Sequence, residues 1–392
     1  MSLMNIVKKN FKNLDKVLLI TSLTLFICGL LNIVTASSRE AVVRYQASLY
    51  HYFFKQSEML LAGLFISFFI IMFKPQIYKK LSKVLFYVVL GLCVYMLYKG
   101  TEVNGATNWL KLPILSMAFQ PSEFAKLIII IYLSLLFEEN KTVLENHTDK
   151  FYEVVSKILI VGLLIPAIVF VQKDFGTMFI MSIIFLVLFI SSPIQRKDKF
   201  RIFIFLLIVV LVSALSLFII KGHIFTKAQL SRFDYFEPCQ KYENIGYQVC
   251  NGYIAINNGG LTGLGIGKSK QIYSYIPEPH TDSVFAILAE EMGVIKCSFI
   301  FIFYIIILYR ILKISMNSKS LRGRYISLGV ATYIFMHILL NLGGILGLIP
   351  LTGVPLPFLS YGGSFALMLA ISHAIVQRIH VETKRYRIKF CT

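Results

Sequence analysis

Charged residues are scarce in this chain. Asp, Glu, Lys and Arg make up 15% of it, and only 20 of its 392 residues are acidic. One soluble domain is excluded, because the 57% that is hydrophobic exceeds what a single core and its loops can hide. No internal repeat, low-complexity linker or separate soluble domain interrupts the chain. Cysteine is sparse at six, and Cys28, Cys93 and Cys297 fall in apolar runs, where a thiol behaves as a small apolar group. Metal-ligand spacing is missing too; His223 and His280 have acids nearby but no ligand pattern.

What the chain does have is a series of apolar runs near the length of a bilayer crossing. They cover residues 17–36, 58–73, 84–98, 121–137, 157–171, 175–193, 202–220, 283–309, 325–348 and 362–379. The expected fold is an all-α integral membrane protein of about ten transmembrane helices, one polytopic unit over residues 1–392. One long extracytoplasmic loop, residues 221–282, is expected between helices 7 and 8.

The net charge of +19 follows from topology. Lys8, Lys9, Lys12 and Lys16 precede the first run, and Lys74, Lys79, Lys80 and Lys83 follow the second. Further clusters begin at Arg196, Arg310 and Arg378. All fall on one side of the membrane if both termini are cytoplasmic. No nucleic-acid partner is needed to explain them, and they suit anionic membrane lipids. The first run ends Val34-Thr35-Ala36, like a cleavable leader, but its length and the runs that follow favour an uncleaved anchor.

Polar residues and helix breakers at membrane depth mark candidate chemistry. Asp282 closes the long loop at the water-to-hydrocarbon boundary, where a carboxylate is costly unless it is used. Pro121 suits a first helical position, which puts Glu123 and Lys126, three apart, on one helix face. That pair reads either as a snorkelling ion pair or as a polar cavity wall. The QKDFGT turn carries Lys173 and Asp174, and means little by itself because turns favour Asp and Gly. In GLIPLTGVPLPFLSYGGS, residues 347–364, prolines and glycines preclude a regular helix. Such backbone is expected to be buried or to line a wet cavity.

Three features lead elsewhere. Gly263 to Ser269 reads GLGIGKS but lacks phosphate-loop spacing, since position 262 is threonine; its amides beside Lys268 and Lys270 could receive an anionic headgroup. The acceptor pattern Asn146-His147-Thr148 lies on the expected inner side. Cys239 and Cys250 share the outer loop, where a disulfide and two free thiols are equally compatible with sequence.

Taken together, FQPSEFAKL, QKDFGT, GYQVCNGYIAINNGGLTGLGIGKS, PEPHTDSVFAILAEEMG and GLIPLTGVPLPFLSYGGS resemble the SEDS family of bacterial envelope proteins, which contains FtsW, RodA and SpoVE. The GLGIGKSKQIYSYIPEPHTD stretch looks more like the division and sporulation branch than the elongation branch. Phe365, His337 and Ser283 stand where the family more often has serine, glutamine and phenylalanine.

The resemblance implies a peptidoglycan glycosyltransferase that polymerises lipid II at the outer face of the bacterial cytoplasmic membrane. It also implies a class B penicillin-binding protein as partner. Asp282 matches the family's essential acid; Glu123, Lys126 and Asp174 match its other charged positions. As general base, Asp282 could take the acceptor hydroxyl proton. Lys126, with Lys111, could offset charge on the departing pyrophosphate, and Glu123 and Asp174 could orient that lysine or hold a divalent cation such as Mg or Mn. Glu278 and His280 of PEPHTD are further candidate substrate contacts, and Ser360, Tyr361, Gly362 and Gly363 are expected to shape the cavity. Two other classes remain open: a lipid II flippase, which needs polar features in both leaflets, and a non-catalytic scaffold, whose acids could all be neutralised without effect.

Overall fold

The computed structural model describes residues 3–73, 77–103, 106–112, 117–221, 237–241, 246–273 and 276–391. Thirteen helices occur among them: α1 (Leu3–Lys12), α2 (Lys16–Tyr45), α3 (His51–Met72), α4 (Ile77–Lys99), α5 (Pro121–Glu139), α6 (Lys141–Asn146), α7 (Phe151–Val171), α8 (Phe175–Ser191), α9 (Arg196–Lys221), α10 (Gly246–Gly259), α11 (Val284–Asn317), α12 (Leu321–Ile345) and α13 (Gly363–Cys391). Helices occupy all ten expected apolar segments. Among the described residues, seven are long and apolar enough to cross a membrane; α8 is apolar but shorter. The chain is a multi-pass membrane protein.

Local chemistry sets several helix starts. Asp15 caps α2 by accepting from Leu18 N at 3.0 Å, and Asp174 caps α8 by accepting from Thr177 N at 3.1 Å. Pro121 opens α5, where a missing N–H costs nothing. In the core, α5 packs against α4, α7, α8 and α12, and Ile129, Ile130, Leu133 and Phe137 are buried there. By contrast α9 exposes Phe200, Phe203, Phe205 and Ile208, as a lipid-facing helix does.

Three findings correct or extend the sequence expectation. First, the fold is not wholly helical. Strands β1 (Thr101–Val103), β2 (Ala106–Leu112) and β3 (Met117–Phe119) form an antiparallel sheet between α4 and α5, with Thr101 opposite Trp109 and Leu110 opposite Phe119.

Second, the long loop contains the helix α10, which packs on α11 and α12. A disulfide, Cys239–Cys250, ties α10 to the short turn Pro238–Lys241. Residues 222–236, 242–245 and 274–275 of this loop, with His223, lie outside the described residues.

Third, α11 is broken at Gly293, whose φ of 78° only glycine adopts readily. Four backbone groups released by the break are all satisfied by the loop at 260–265. Val294 N donates to Gly260 O at 3.0 Å and Ile295 N to Leu261 O at 3.2 Å. In return Leu264 N and Gly265 N donate to the Glu290 and Glu291 carbonyls, both at 3.0 Å.

Candidate active site

Asp282 lies just before α11, half-buried, among side chains from three parts of the chain. Gln248 of α10 donates from Nε2 to Asp282 Oδ1 at 3.0 Å and to Ser283 Oγ at 2.8 Å. The Thr281 hydroxyl lies 3.4 Å from the same Oδ1. Burial first, and the Glu278 carboxylate second, push the Asp282 carboxyl up to about 6; bonds from its own amide, Gln248 and Thr281 oppose them.

The Glu123–Lys126 pair is buried in the first turns of α5, with Nζ 2.7 Å from Glu123 Oε1. Lys126 Nζ is also 2.8 Å from His337 Nε2 and lies over the Tyr333 ring at 5.5 Å. His337 Nδ1 is 3.1 Å from Pro355 O. One turn along α12, Asn341 Nδ2 donates to the carbonyls of Val354 at 2.8 Å and Asp282 at 2.7 Å. His337 and Asn341, four apart, thus share a face that ties the lysine and the carboxylate to one piece of irregular backbone, residues 352–355.

Asp174 joins from the other side. Its Oδ2 accepts from Asn108 of β2 at 2.6 Å and from Gln120 at 3.1 Å. Thr107 N to Gln172 O, at 3.1 Å, holds β2 against this turn. Next to it, a Cβ on Gly176 would come within 2.7 Å of Val354 Cγ2 and 3.1 Å of Thr352 Cβ, so α8 abuts the same 352–355 segment. That segment also borders Asp282, whose Oδ2 would lie 3.9 Å from a Cβ on Gly353. Three segments remote in sequence, bearing Glu123 and Lys126, Asp174, and Asp282, therefore meet near one short stretch of backbone.

Other candidates are placed differently. Lys111 is in β2, opposite Ala118; its side chain lies outside the described residues. His280 is buried, 3.3 Å from Glu40 of α2, against the rings of Tyr52 at 4.2 Å and Tyr361 at 5.4 Å. Tyr361 N donates to His280 O at 2.8 Å, which fastens the end of the Pro/Gly segment to PEPHTD. Glu278 stands at a positive φ of 43° and its carbonyl accepts from Thr281. Ser360 is buried and its hydroxyl accepts from Leu356 N at 2.8 Å, so it shapes the turn and is not brought to Asp282. Gln56 brackets this turn, accepting from Gly362 N at 3.1 Å, and Gly363 abuts Met59 of α3.

Glu123 and Asp174 are the residues that would hold a divalent cation, and Glu123 Oε2 is buried without a hydrogen-bond partner. Asp174 already accepts three hydrogen bonds and Glu123 is paired with Lys126. Among the described residues no three or more His, Cys, Asp or Glu groups gather to hold a metal.

Sequence reasoning missed Gln248, Glu290 and Glu291, and noted His337 only as a motif position. Glu290 is buried and accepts from Asn258 at 3.2 Å, from the Ser269 hydroxyl and from Gln271 N at 3.2 Å. Glu291 accepts from Thr35 and from Gly267 N, both at 3.0 Å. The amides of Gly263, Leu264, Gly265 and Gly267 thus bind helix carbonyls and the protein's own Glu291 carboxylate. Two adjacent acids in an apolar run, AILAEEMG, were the visible signal.

The family model described as cell cycle protein, covering FtsW, RodA and SpoVE, matches residues 15–385. The chain is 32% identical over 380 residues to the "Probable peptidoglycan glycosyltransferase FtsW" of Bacillus subtilis (strain 168), spanning 96% of this chain and 93% of that one. It is 29% identical to stage V sporulation protein E of the same strain, spanning 93% and 96% of the two chains. Among solved structures it resembles a chain of a peptidoglycan synthase complex, at 22% identity and a TM-score of 0.73 over 94% of this chain and 98% of that one. It also resembles the rod shape determining protein RodA of Thermus thermophilus, at 22% identity and a TM-score of 0.65 over 94% and 96%. At that identity the solved structures bear on the fold alone.

Proposed function

The chain belongs to the family of FtsW, RodA and SpoVE, and on that premise we propose that it is a peptidoglycan glycosyltransferase polymerising lipid II at the outer membrane face. The FtsW names of its relatives favour the division branch, and with it enrichment at the septum. In this reading ten helices cross the bilayer, both termini are cytoplasmic, and the loop bearing α10 is outside. The Cys239–Cys250 disulfide suits such an oxidising compartment. A class B penicillin-binding protein is the proposed partner, by analogy with the similar chain from a complex that couples polymerization to crosslinking.

The reaction joins two sugars. An acceptor hydroxyl oxygen attacks the anomeric carbon of the donor, Asp282 takes its proton, and the bond to the undecaprenyl pyrophosphate breaks with its electron pair leaving on phosphate oxygen. A carboxyl titrating near 6 is roughly nine-tenths carboxylate at neutral pH and is a stronger base than an ordinary aspartate. Lys126 offers positive charge to the leaving pyrophosphate. Its side chain is only 1% exposed, so the pyrophosphate reaches it only when its surroundings shift, and residues 352–355, tied to it through His337, are the proposed cover.

The observation that carries this reading is the shared anchoring of Asp282 and Lys126 on residues 354–355 through Asn341 and His337. Full-length protein in detergent, given labelled lipid II with and without a partner transpeptidase, should yield a ladder of glycan strands. Folded protein that yields none in either condition would refute the reading. A flippase gives no product there, because detergent abolishes the two sides.

A further inference from the structure

Resting on the glycosyltransferase reading, we propose that His337 is a positioning residue that holds the Lys126 ammonium and latches the 352–355 cover over it. The argument starts from tautomer. Pro355 O can only accept, so the ring nitrogen 3.1 Å away, Nδ1, carries the hydrogen. Nε2 then presents a lone pair, and it faces Lys126 Nζ at 2.8 Å as an acceptor. A neutral imidazole of this single tautomer therefore donates to the cover with one edge and receives the lysine with the other.

Packing fixes the ring in that pose. His337 is wholly buried, stacks on Phe365 with centroids 4.4 Å apart and planes at 19°, and meets Tyr333 edge-on at 4.9 Å. Lys126 makes its second bond to Glu123, so the ammonium sits between a carboxylate and an imidazole lone pair with little freedom left. When the cover moves, the His337–Pro355 bond must break while the His337–Lys126 bond can persist. The lysine then keeps both bonds, to Glu123 and to His337, and stays in place as the cover lifts. No proton is transferred by His337 in this role.

Two variants separate positioning from space-filling. His337→Gln keeps one donor and one acceptor at similar reach; His337→Phe keeps the stack and loses both bonds. Full-length protein in detergent would be assayed for lipid II polymerisation, with kcat and KM resolved. In parallel, thiol labelling of Thr352→Cys would be read on its own peptide in each His337 background. The expected outcome is a kcat at least 10-fold lower in His337→Phe with KM within about threefold, and thiol labelling about 10-fold faster. His337→Gln should restore both to within about threefold. Wild-type polymerisation rates in His337→Phe, or His337→Gln as impaired as His337→Phe, would overturn the positioning role. Unchanged labelling of Thr352→Cys would overturn the latch. Should the wild-type protein itself make no glycan, the glycosyltransferase reading fails, and the labelling rates still decide the latch.

Discussion

Asn341 holds Asp282 by its backbone: the side-chain amide donates to the Asp282 carbonyl at 2.7 Å while also donating to Val354 O at 2.8 Å. One amide thereby fixes the carboxylate-bearing loop against the cover. Asn341→Leu removes the donor from both carbonyls, a loss of roughly 1–3 kcal/mol in stability. Its apparent Tm in detergent should fall, and polymerisation should drop at least 10-fold, or about 1.4 kcal/mol of transition-state stabilisation, in the fraction that remains folded.

The Asp282 carboxyl gives opposite pH trends for stability and rate. Its pKa is raised in the fold from 3.8 to about 6, so folding favours the protonated form. The stability this brings is full below pH 3.8 and is lost as pH rises through 6. Wild type should therefore lose apparent Tm relative to Asp282→Asn across that window, by the equivalent of roughly 3 kcal/mol. Polymerisation should instead rise with pH through about 6, as the carboxylate base forms.

Burial makes the Glu123–Lys126 pair a stringent test of role. Lys126→Met leaves a buried carboxylate without its counter-ion, a cost of roughly 3–5 kcal/mol. Adding Glu123→Gln should recover most of the apparent Tm. Polymerisation should stay at least 100-fold down in the double variant. Recovery of activity together with stability would show that the ammonium matters only to folding.

The break in α11 predicts a purely structural sensitivity. A Cβ at Gly293 would approach Gly263 N to 2.4 Å, in a left-handed conformation that alanine adopts poorly. Glu290→Ala strips the acceptor from Asn258, Ser269 and Gln271 N, a loss of roughly 2 kcal/mol or more. Both variants should lower apparent Tm and speed protease nicking around residues 260–271.

Legibility in the sequence followed the range of the physics. The membrane helices were readable because a bilayer crossing demands about 20 apolar residues in a row, a local property. Glu123 and Lys126 could be paired from their spacing, since three residues on a helix is a fixed geometry. Their link to Asp282 could not, because it runs through His337 and Asn341, more than 200 residues along the chain from Lys126, to backbone carbonyls. The Gly293 break hid inside an apolar run, as hydropathy is blind to φ and its hydrogen-bond partners lie about thirty residues away. Helix α10 was concealed by amides and glycines of low helix propensity, which packing on α11 and α12 overrides. The β-sheet escaped notice because two of its three strands have only three residues, too few to carry a periodic signal.

The most direct test compares glycan synthesis by purified wild-type and Asp282→Asn protein in detergent with labelled lipid II. Asparagine keeps the shape and the contact with Gln248 but cannot accept a proton at neutral pH. The account predicts glycan strands from wild type and none above background from the variant, with both proteins monodisperse. Strands of ordinary length and yield from Asp282→Asn would contradict it.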